Sequence, residues 1–377
     1  MSRARLTISK SALLRNIRII GKKVPKLSLL PMIKANAYGH GALYAARAYA
    51  SDSAVRKKLQ GFGVATFQEA VELRLGLEKT PARTLPILVF SDCAPWTDEH
   101  LSLCRRYRLE PVFSEILSLL EFQRQVGMRS TRGRDSHAVP VHVEVNSGMN
   151  RLGIPQDSLS LVRVAPKSIF THLADADDPS SALTRLQVST YAEVVRWARA
   201  RFPKTKFHFA NSSAIWNAKR FPLMKEMDWA RPGLSLYGIR PFRRAKDDGL
   251  KRAMTFEAPI LNRIYLNPGD RVGYGGTYAC RKKSGEWVAV IGAGYADGVF
   301  RSFSSQGIAV YGKKKLNFIG RVSMDLSAVQ GVSGMKVGET VTLWGDAIDP
   351  YVQSELAGTI PYELTTRIGE RVHRIYE

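Results

Sequence analysis

The 377-residue chain has only three cysteines, Cys93, Cys104 and Cys280, and no two of them form a CxxC pair. An odd, scattered set argues against a disulfide framework or a cysteine-built zinc site and suits a reducing compartment. No HExxH accompanies the seven histidines, so no metal is expected. No apolar run approaches the ~18 residues that a membrane-spanning helix needs. The opening segment has basic groups but no secretory apolar core, since Ile17-Arg18-Ile19-Ile20 is too short, and a cytoplasmic location is expected. Acidic residues are also scarce, 33 Asp+Glu against 56 Lys+Arg, for a formal charge of +23. The basic clusters, such as Arg56-Lys57-Lys58 and Lys313-Lys314-Lys315, are short and dispersed. Without a basic arm, C2H2 spacing or an RNP-like aromatic run, they do not predict nucleic-acid binding. They fit a generally basic surface, or a field that draws in anionic ligands.

What is present reads as two domains. Up to residue 239, strand-like runs alternate with helix-length segments: Leu29–Ile33, Phe62–Ala65, Leu85–Phe90, Glu110–Phe113, Val139–Val145, Ser168–Thr171, Lys206–Phe209 and Met227–Ala230. Helical patterns such as Phe67–Leu77, Ser114–Val126 and Thr184–Ala200 lie between them. Several runs are apolar at consecutive positions, as strands buried on both faces are. Eight alternations fit an α/β fold, a (β/α)8 TIM-like barrel over residues 1–239. A doubly wound sheet is the alternative, but no GxGxxG follows the first strand. After a charged stretch, Arg243 to Arg252, come β-rich runs separated by glycine turns: Ile260–Leu266, Trp287–Ile291, Ile308–Tyr311, Leu316–Val322 and Thr340–Trp344. Residues 240–377 read as a mostly β C-terminal domain.

Barrel chemistry sits where strands end. Lys34 ends the first apolar run, where partial desolvation lowers an amine's pKa and suits Schiff-base chemistry. His40, between two glycines, reads as a turn residue. Asn211-Ser212-Ser213 follows the seventh strand and Arg231-Pro232-Gly233-Leu234 the eighth, the loops where barrels commonly bind phosphate. A lysine opposite a phosphate cradle suggests pyridoxal phosphate, with Arg231 toward its ring nitrogen.

These motifs, with Val143-Glu144-Val145-Asn146-Ser147-Gly148-Met149-Asn150-Arg151, Thr171-His172, Gly273-Tyr274-Gly275-Gly276, Gly294-Tyr295-Ala296-Asp297-Gly298, Gly320-Arg321-Val322-Ser323-Met324-Asp325 and Tyr362-Glu363-Leu364, run in order along the chain. The sequence resembles the alanine racemases, the two-domain branch of fold-type III enzymes that use pyridoxal 5'-phosphate. The resemblance implies a homodimer with shared active sites, acting on a small amino acid and supplying D-alanine as a peptidoglycan precursor. Lys34 would bind the cofactor covalently and serve as one base, and Tyr274 of the partner subunit would be the other. Tyr38, Asn211, Ser212, Gly233, Leu234 and Tyr362 would surround the phosphate, with His172 and Arg231 at the ring. Arg151, Met324 and Tyr295 would contact substrate, and Glu144, Arg301 and Asp325 would support the site.

One departure stands out. Much of the family has a carbamylated lysine where this chain has Glu144, and its carboxylate orients the following arginine. Glu144 is a permanent carboxylate on a shorter side chain, expected to pair with Arg151 directly or through water. Asn146-Ser147 likewise replaces the usual Asp-Thr. A racemase of wider range (serine, lysine, arginine) and a non-catalytic pyridoxal-phosphate-binding protein are the alternative readings.

Overall fold

The computed structural model describes residues 4–130, 139–246 and 248–377. The first strand, β1 (Arg5–Ile8), does not join the barrel, which corrects the assignment of the whole N-terminal segment to it. Its alternating half-buried and buried residues pair antiparallel with β10 (Met254–Leu266) and parallel with the last strand, His373–Tyr376. Four residues of simple alternation carry no mark of which sheet they enter, since the period specifies a face and not a partner.

The barrel is built from β2 (Ser28–Leu29), β3 (Phe62–Val64), β4 (Ile87–Val89), β5 (Leu109–Phe113), β6 (His142–Glu144), β7 (Ser168–Phe170), β8 (Lys206–His208) and β9 (Trp229–Ala230). Strands β3 to β8 pair in order and in parallel, and β2 pairs with β9. Single parallel bridges, Met32 with Gly63 and Ala210 with Ala230, close the two remaining seams. Because side chains alternate along a strand, Leu30, Leu88, Val112, Phe170 and Trp229 meet in one apolar cluster inside the barrel. Stepping two residues from that layer toward the strand ends reaches Met32, Phe90, His172 and Arg231, all facing one cavity. Stepping the other way on β5 and β7 reaches Glu110 and Ser168, both buried. The interior is therefore apolar in one arc and polar in another.

Helix Phe67–Leu77 falls where its periodicity predicts and opens with a Thr66/Glu69 capping box. Arg74, on its buried face, donates to the carbonyls of Arg83 (2.7 Å), Tyr107 (2.9 Å), Leu85 (3.0 Å) and Arg108 (3.0 Å). It ties one helix to the segments entering β4 and β5. The second domain is an antiparallel sheet around the long β10, which pairs with Glu286–Ile291, Thr340–Trp344 and β1. A strand at Ser327–Gln330 extends it beyond the sequence expectation. The stretch between the domains is anchored: buried Asn16 donates to the carbonyls of Leu236 and Lys251 and accepts from the Lys251 amide. Among the described residues no helix is long and apolar enough to cross a membrane.

Replacing Arg74 with leucine strips four part-buried carbonyls of this donor, so Arg74→Leu is expected to cost about 3 kcal/mol. A lowered denaturant midpoint without a change in slope checks this.

Candidate active site

At the C-terminal ends of the barrel strands lies a cavity of about 420 Å³ lined by eleven of the residues singled out from the sequence. They are Lys34, Tyr38, Glu144, Arg151, His172, Asn211, Ser212, Arg231, Gly233, Leu234 and Tyr362, from five different strand ends and one segment of the second domain. Met32, Phe90, Ser91, Phe170 and Leu152 are also part of the wall.

Lys34 leaves the strand into an unusual turn. Ala35, Asn36, Ala37 and Tyr38 have φ of 50°, 52°, 55° and 54°, one turn of left-handed helix ended by Gly39 at φ 85°. Each non-glycine residue there costs about 1–2 kcal/mol, so the turn must be held from outside. Glu69 accepts from the Ala35 amide at 2.6 Å, and Asn36 Oδ1 accepts from the Ala42 amide at 2.8 Å. His40 is the third support, its Nδ1 lying 3.0 Å from the Ala37 carbonyl and 2.9 Å from that of Tyr38. Burial pushes His40 down to about 4, so it stays neutral and serves the turn. The Lys34 amine is lowered from its ordinary value by burial and then by the Arg151 charge. More of it is therefore the nucleophilic neutral amine.

The cavity's far end is an anion cradle. Asn211 caps helix Ser212–Trp216 through the Ala214 amide at 2.9 Å. Ser212 Oγ accepts from the Gly233 amide at 3.0 Å and from the Ser235 amide at 3.4 Å. With those contacts made, the hydroxyl's own hydrogen is left to donate. The amide of Gly233, expected to face a phosphate, is thus engaged by Ser212. Gly233 has no room for a side chain, since a Cβ there would lie 2.6 Å from the Tyr38 hydroxyl. Burial raises the phenols of Tyr38 and Tyr362 above their ordinary value, keeping both protonated as donors. Donors and no carboxylate converge here, and that donor set fits a phosphate.

Arg231, at the end of β9, is buried with its guanidinium over the Phe170 ring at 4.4 Å. It donates to the Thr171 carbonyl at 2.9 Å and the His208 carbonyl at 3.3 Å, contacts His208 Nδ1, and reaches His172 Nδ1 at 3.5 Å. Burial lowers it to about 10, still a cation at neutral pH. Burial and then the Arg231 charge push His172 down to about 3, so its ring is neutral. Glu144 is buried and raised above the usual carboxylate range by desolvation, against the pull of Arg231, Arg151 and Lys34. Among the described residues it forms no direct ion pair with Arg151, which stands exposed at the mouth, so the direct form of the expected pairing is absent. Asn146 instead organises that wall, its Oδ1 accepting from the amides of Gly148 (3.0 Å) and Asn150 (3.2 Å).

Five expected residues are not brought into this cavity within one chain. Tyr274 sits in a glycine turn of the second domain and is 71% exposed, and Met324 is 53% exposed. Tyr295 and Arg301 line a separate depression with Glu363 and Arg367. Asp325 pairs with Arg371 at 2.8 Å. Sequence reasoning missed His208, Phe170 and Phe90 as site residues. Strand alternation could have found them, because each sits on the inward face beside a chosen neighbour.

The family model for the alanine racemase N-terminal domain matches residues 8–241, and that for the C-terminal domain matches 253–376. The chain is 32% identical to alanine racemase from Coxiella burnetii over 100% of this chain and 99% of the relative. It is 31% identical to that of Synechocystis over 99% and 98%. Among solved structures, alanine racemase from Streptomyces coelicolor superposes with a TM-score of 0.85 at 27% identity, covering 100% of this chain and 98% of that one. Alanine racemase from Bartonella henselae with covalently bound pyridoxal phosphate gives 0.84 at 26%, with complete coverage of both. The cavity is the strand-end pocket of that fold, and the chain belongs to the alanine racemase family.

Proposed function

We propose that the cavity holds pyridoxal 5'-phosphate and that the chain interconverts L- and D-alanine as a cytoplasmic homodimer, feeding D-alanine to peptidoglycan precursors. The observation that carries this reading is the arrangement around Lys34. A lysine with a depressed pKa faces a phosphate-type cradle at one end and a buried arginine at the other. Pyridoxal phosphate supplies an aldehyde that binds amines and a ring that acidifies the adjacent C–H. Lys34 would hold the cofactor through its neutral amine and would hold or return a proton on one face of the substrate Cα. Ser212, Tyr38 and Tyr362 fix the phosphate as donors. Arg231 can only donate, so at the ring nitrogen it would favour the form without a proton.

Racemisation needs a second base on the opposite face. Among the described residues lining the cavity no second base stands opposite Lys34, and the exposed Tyr274 fits that role when a second copy presents it. Arg231 and Arg151 give the cavity two cationic groups that such a second base would approach. Met324, through its backbone, and Arg151 would hold the substrate carboxylate, with Tyr295 and Arg301 narrowing the entrance and Asp325 bracing them.

Purified protein is expected to be yellow and to racemise L-alanine in preference to L-serine, L-lysine and L-arginine, followed by chiral chromatography. Lys34→Ala should remove the Schiff-base absorbance, and a colourless wild-type protein inert toward all four would sink the assignment. Tyr274→Phe should lower kcat by roughly 10²–10⁴-fold. Mixing inactive Lys34→Ala and Tyr274→Phe chains should restore part of the activity; confirmed mixed dimers that stay inactive would refute the shared site.

Glu144 is the carboxylate in the cavity wall that faces Lys34, Arg151 and Arg231, and its raised pKa carries a sign. As pH falls, it takes a proton before an ordinary glutamate would, and the cavity loses its internal counter-charge. Alanine KM should therefore change on the acid limb in wild type. Glu144→Gln should remove that limb and shift KM by roughly tenfold, the worth of one charged hydrogen bond. An unchanged KM profile would exclude a role for Glu144 in carboxylate binding.

A further inference from the structure

A second polar feature runs through the barrel below the cavity. Lys167 Nζ lies 2.7 Å from Glu110 Oε1, and Glu110 Oε2 is 2.9 Å from His142 Nε2. His142 Nδ1 is 2.7 Å from Ser168 Oγ, and Ser168 Oγ is 2.9 Å from His208 Nε2. His208 Nδ1 then meets Arg231 Nη1. The chain crosses β5, β6, β7, β8 and the end of β9, one residue from each strand. His142 and Ser168 are register partners, as are Phe170 and His208, which is why the steps close without a gap.

The two ends fix the direction of every hydrogen. Arg231 can only donate, so His208 Nδ1 must accept, and a neutral His208 carries its proton on Nε2. That proton is donated to Ser168 Oγ. The Glu110 carboxylate can only accept, so His142 donates from Nε2 and its Nδ1 receives the Ser168 hydroxyl hydrogen. One proton per ring satisfies every site, and all the donors point from Arg231 toward Glu110. Both imidazoles are held below their ordinary pKa, His142 and His208 alike first by burial. Burial works to raise Glu110, but the hydrogen bond from His142 and the bonds and charge of Lys167 override it and hold the carboxylate below its ordinary value. The His208 ring is clamped between Phe170 (4.7 Å, 12°) and Trp229 (5.0 Å, 23°). Ring stacking fixes its plane but cannot choose its tautomer; Ser168 does.

We propose that Glu110, His142 and Ser168 are positioning residues for the cofactor site. Their one-way hydrogen-bond chain imposes the Nε2–H tautomer on His208, so that His208 Nδ1 accepts from Arg231 and holds its guanidinium in the plane that meets the cofactor ring. Ser168 is the residue on which this depends, because it alone both accepts from one imidazole and donates to the other. Without its hydroxyl, His208 can flip or take the Nδ1–H tautomer, which would set two donors against each other at Arg231.

The inference rests on the cofactor reading above, and its test has a readout that does not. In the cofactor-loaded enzyme with ¹⁵N-labelled histidine, nitrogen shifts of the seven rings are assigned by substitution. His142 and His208 should both report Nε2–H with a bare Nδ1. Glu110→Gln should move the His208 nitrogen shifts although Glu110 does not touch that ring. Ser168→Ala should abolish the transmission, lower kcat by roughly tenfold, leave alanine KM in place and change the pH dependence of the cofactor absorbance. Ser168→Thr, which keeps the hydroxyl, should restore the tautomer and most of kcat. Because one chain is broken at two points, the Ser168→Ala/Glu110→Gln double variant should be no worse than the poorer single. An Nδ1–H tautomer for His208 in wild type would overturn the proposal. So would effects of the two substitutions on kcat that multiply, or a Ser168→Ala enzyme that only melts earlier with shifts and kcat intact. Lack of Schiff-base absorbance with the expected tautomers would instead count against the cofactor reading alone.

Discussion

The buried guanidinium of Arg231 is the constraint around which this site is arranged. An unpaired cation in a barrel core costs several kcal/mol, so its neighbours must be acceptors or an aromatic face. The chain provides the Thr171 and His208 carbonyls, the His208 ring nitrogen and the Phe170 ring. None of these is a carboxylate in contact, so the positive charge is held and not neutralised. Lys34 and Arg151 add to it, and Glu144 is the only formal countercharge among the residues acting on them within the cavity wall. That balance suits the anionic cofactor and substrate proposed above. The overall charge of +23 does not specify this, since the same excess spread over a surface would select nothing.

Strain is the second constraint. Placing Lys34 at the top of β2 while turning the chain toward the next helix takes four residues through the left-handed region. The supports come from three places: the helix cap at Glu69, the Asn36 side chain and the buried His40 ring. Glu69 has a double task, closing its own helix's capping box and accepting from the residue after Lys34. Helix and catalytic turn are thereby fixed to each other, which sets where the amine stands.

How much of this the sequence revealed follows from what a one-dimensional pattern can carry. The barrel was legible because eight short runs at regular spacing leave few topologies open. Lys34, Ser212 and Arg231 were legible because a strand end is a position in sequence as well as in space. Strand β1 was placed in the wrong domain because its partners are some 250 and 370 residues away, and no local pattern encodes them. The left-handed turn was invisible: Ala-Asn-Ala-Tyr has no glycine to mark positive φ, and Glu69, which holds it, belongs to another helix. The Glu110–His142–Ser168–His208 series was invisible for another reason. Each residue is an ordinary strand residue, and only the stagger of adjacent strands brings their side chains within hydrogen-bond distance.

The second domain meets a different requirement, which is to present loops instead of burying them. Arg371 binds Asp297 through two bonds of 2.7 and 2.9 Å, Asp325 at 2.8 Å, and the Met324 carbonyl at 3.4 Å. Asp297 in turn accepts from the Gly294 amide at 2.9 Å, and the Met324 carbonyl accepts from the Ala296 amide at 3.0 Å. The loop carrying Tyr295 and the turn carrying Met324 are thus one rigid unit, clamped by a cation whose strongest partner is buried. Gly294 is required within that clamp, because a Cβ would lie 2.3 Å from the Met324 carbonyl. The exposed side chains of Tyr295 and Met324 therefore stand on a backbone with little freedom to adjust. The entropy of ordering these surface groups is met during folding, which would lower the cost of docking the second copy proposed above.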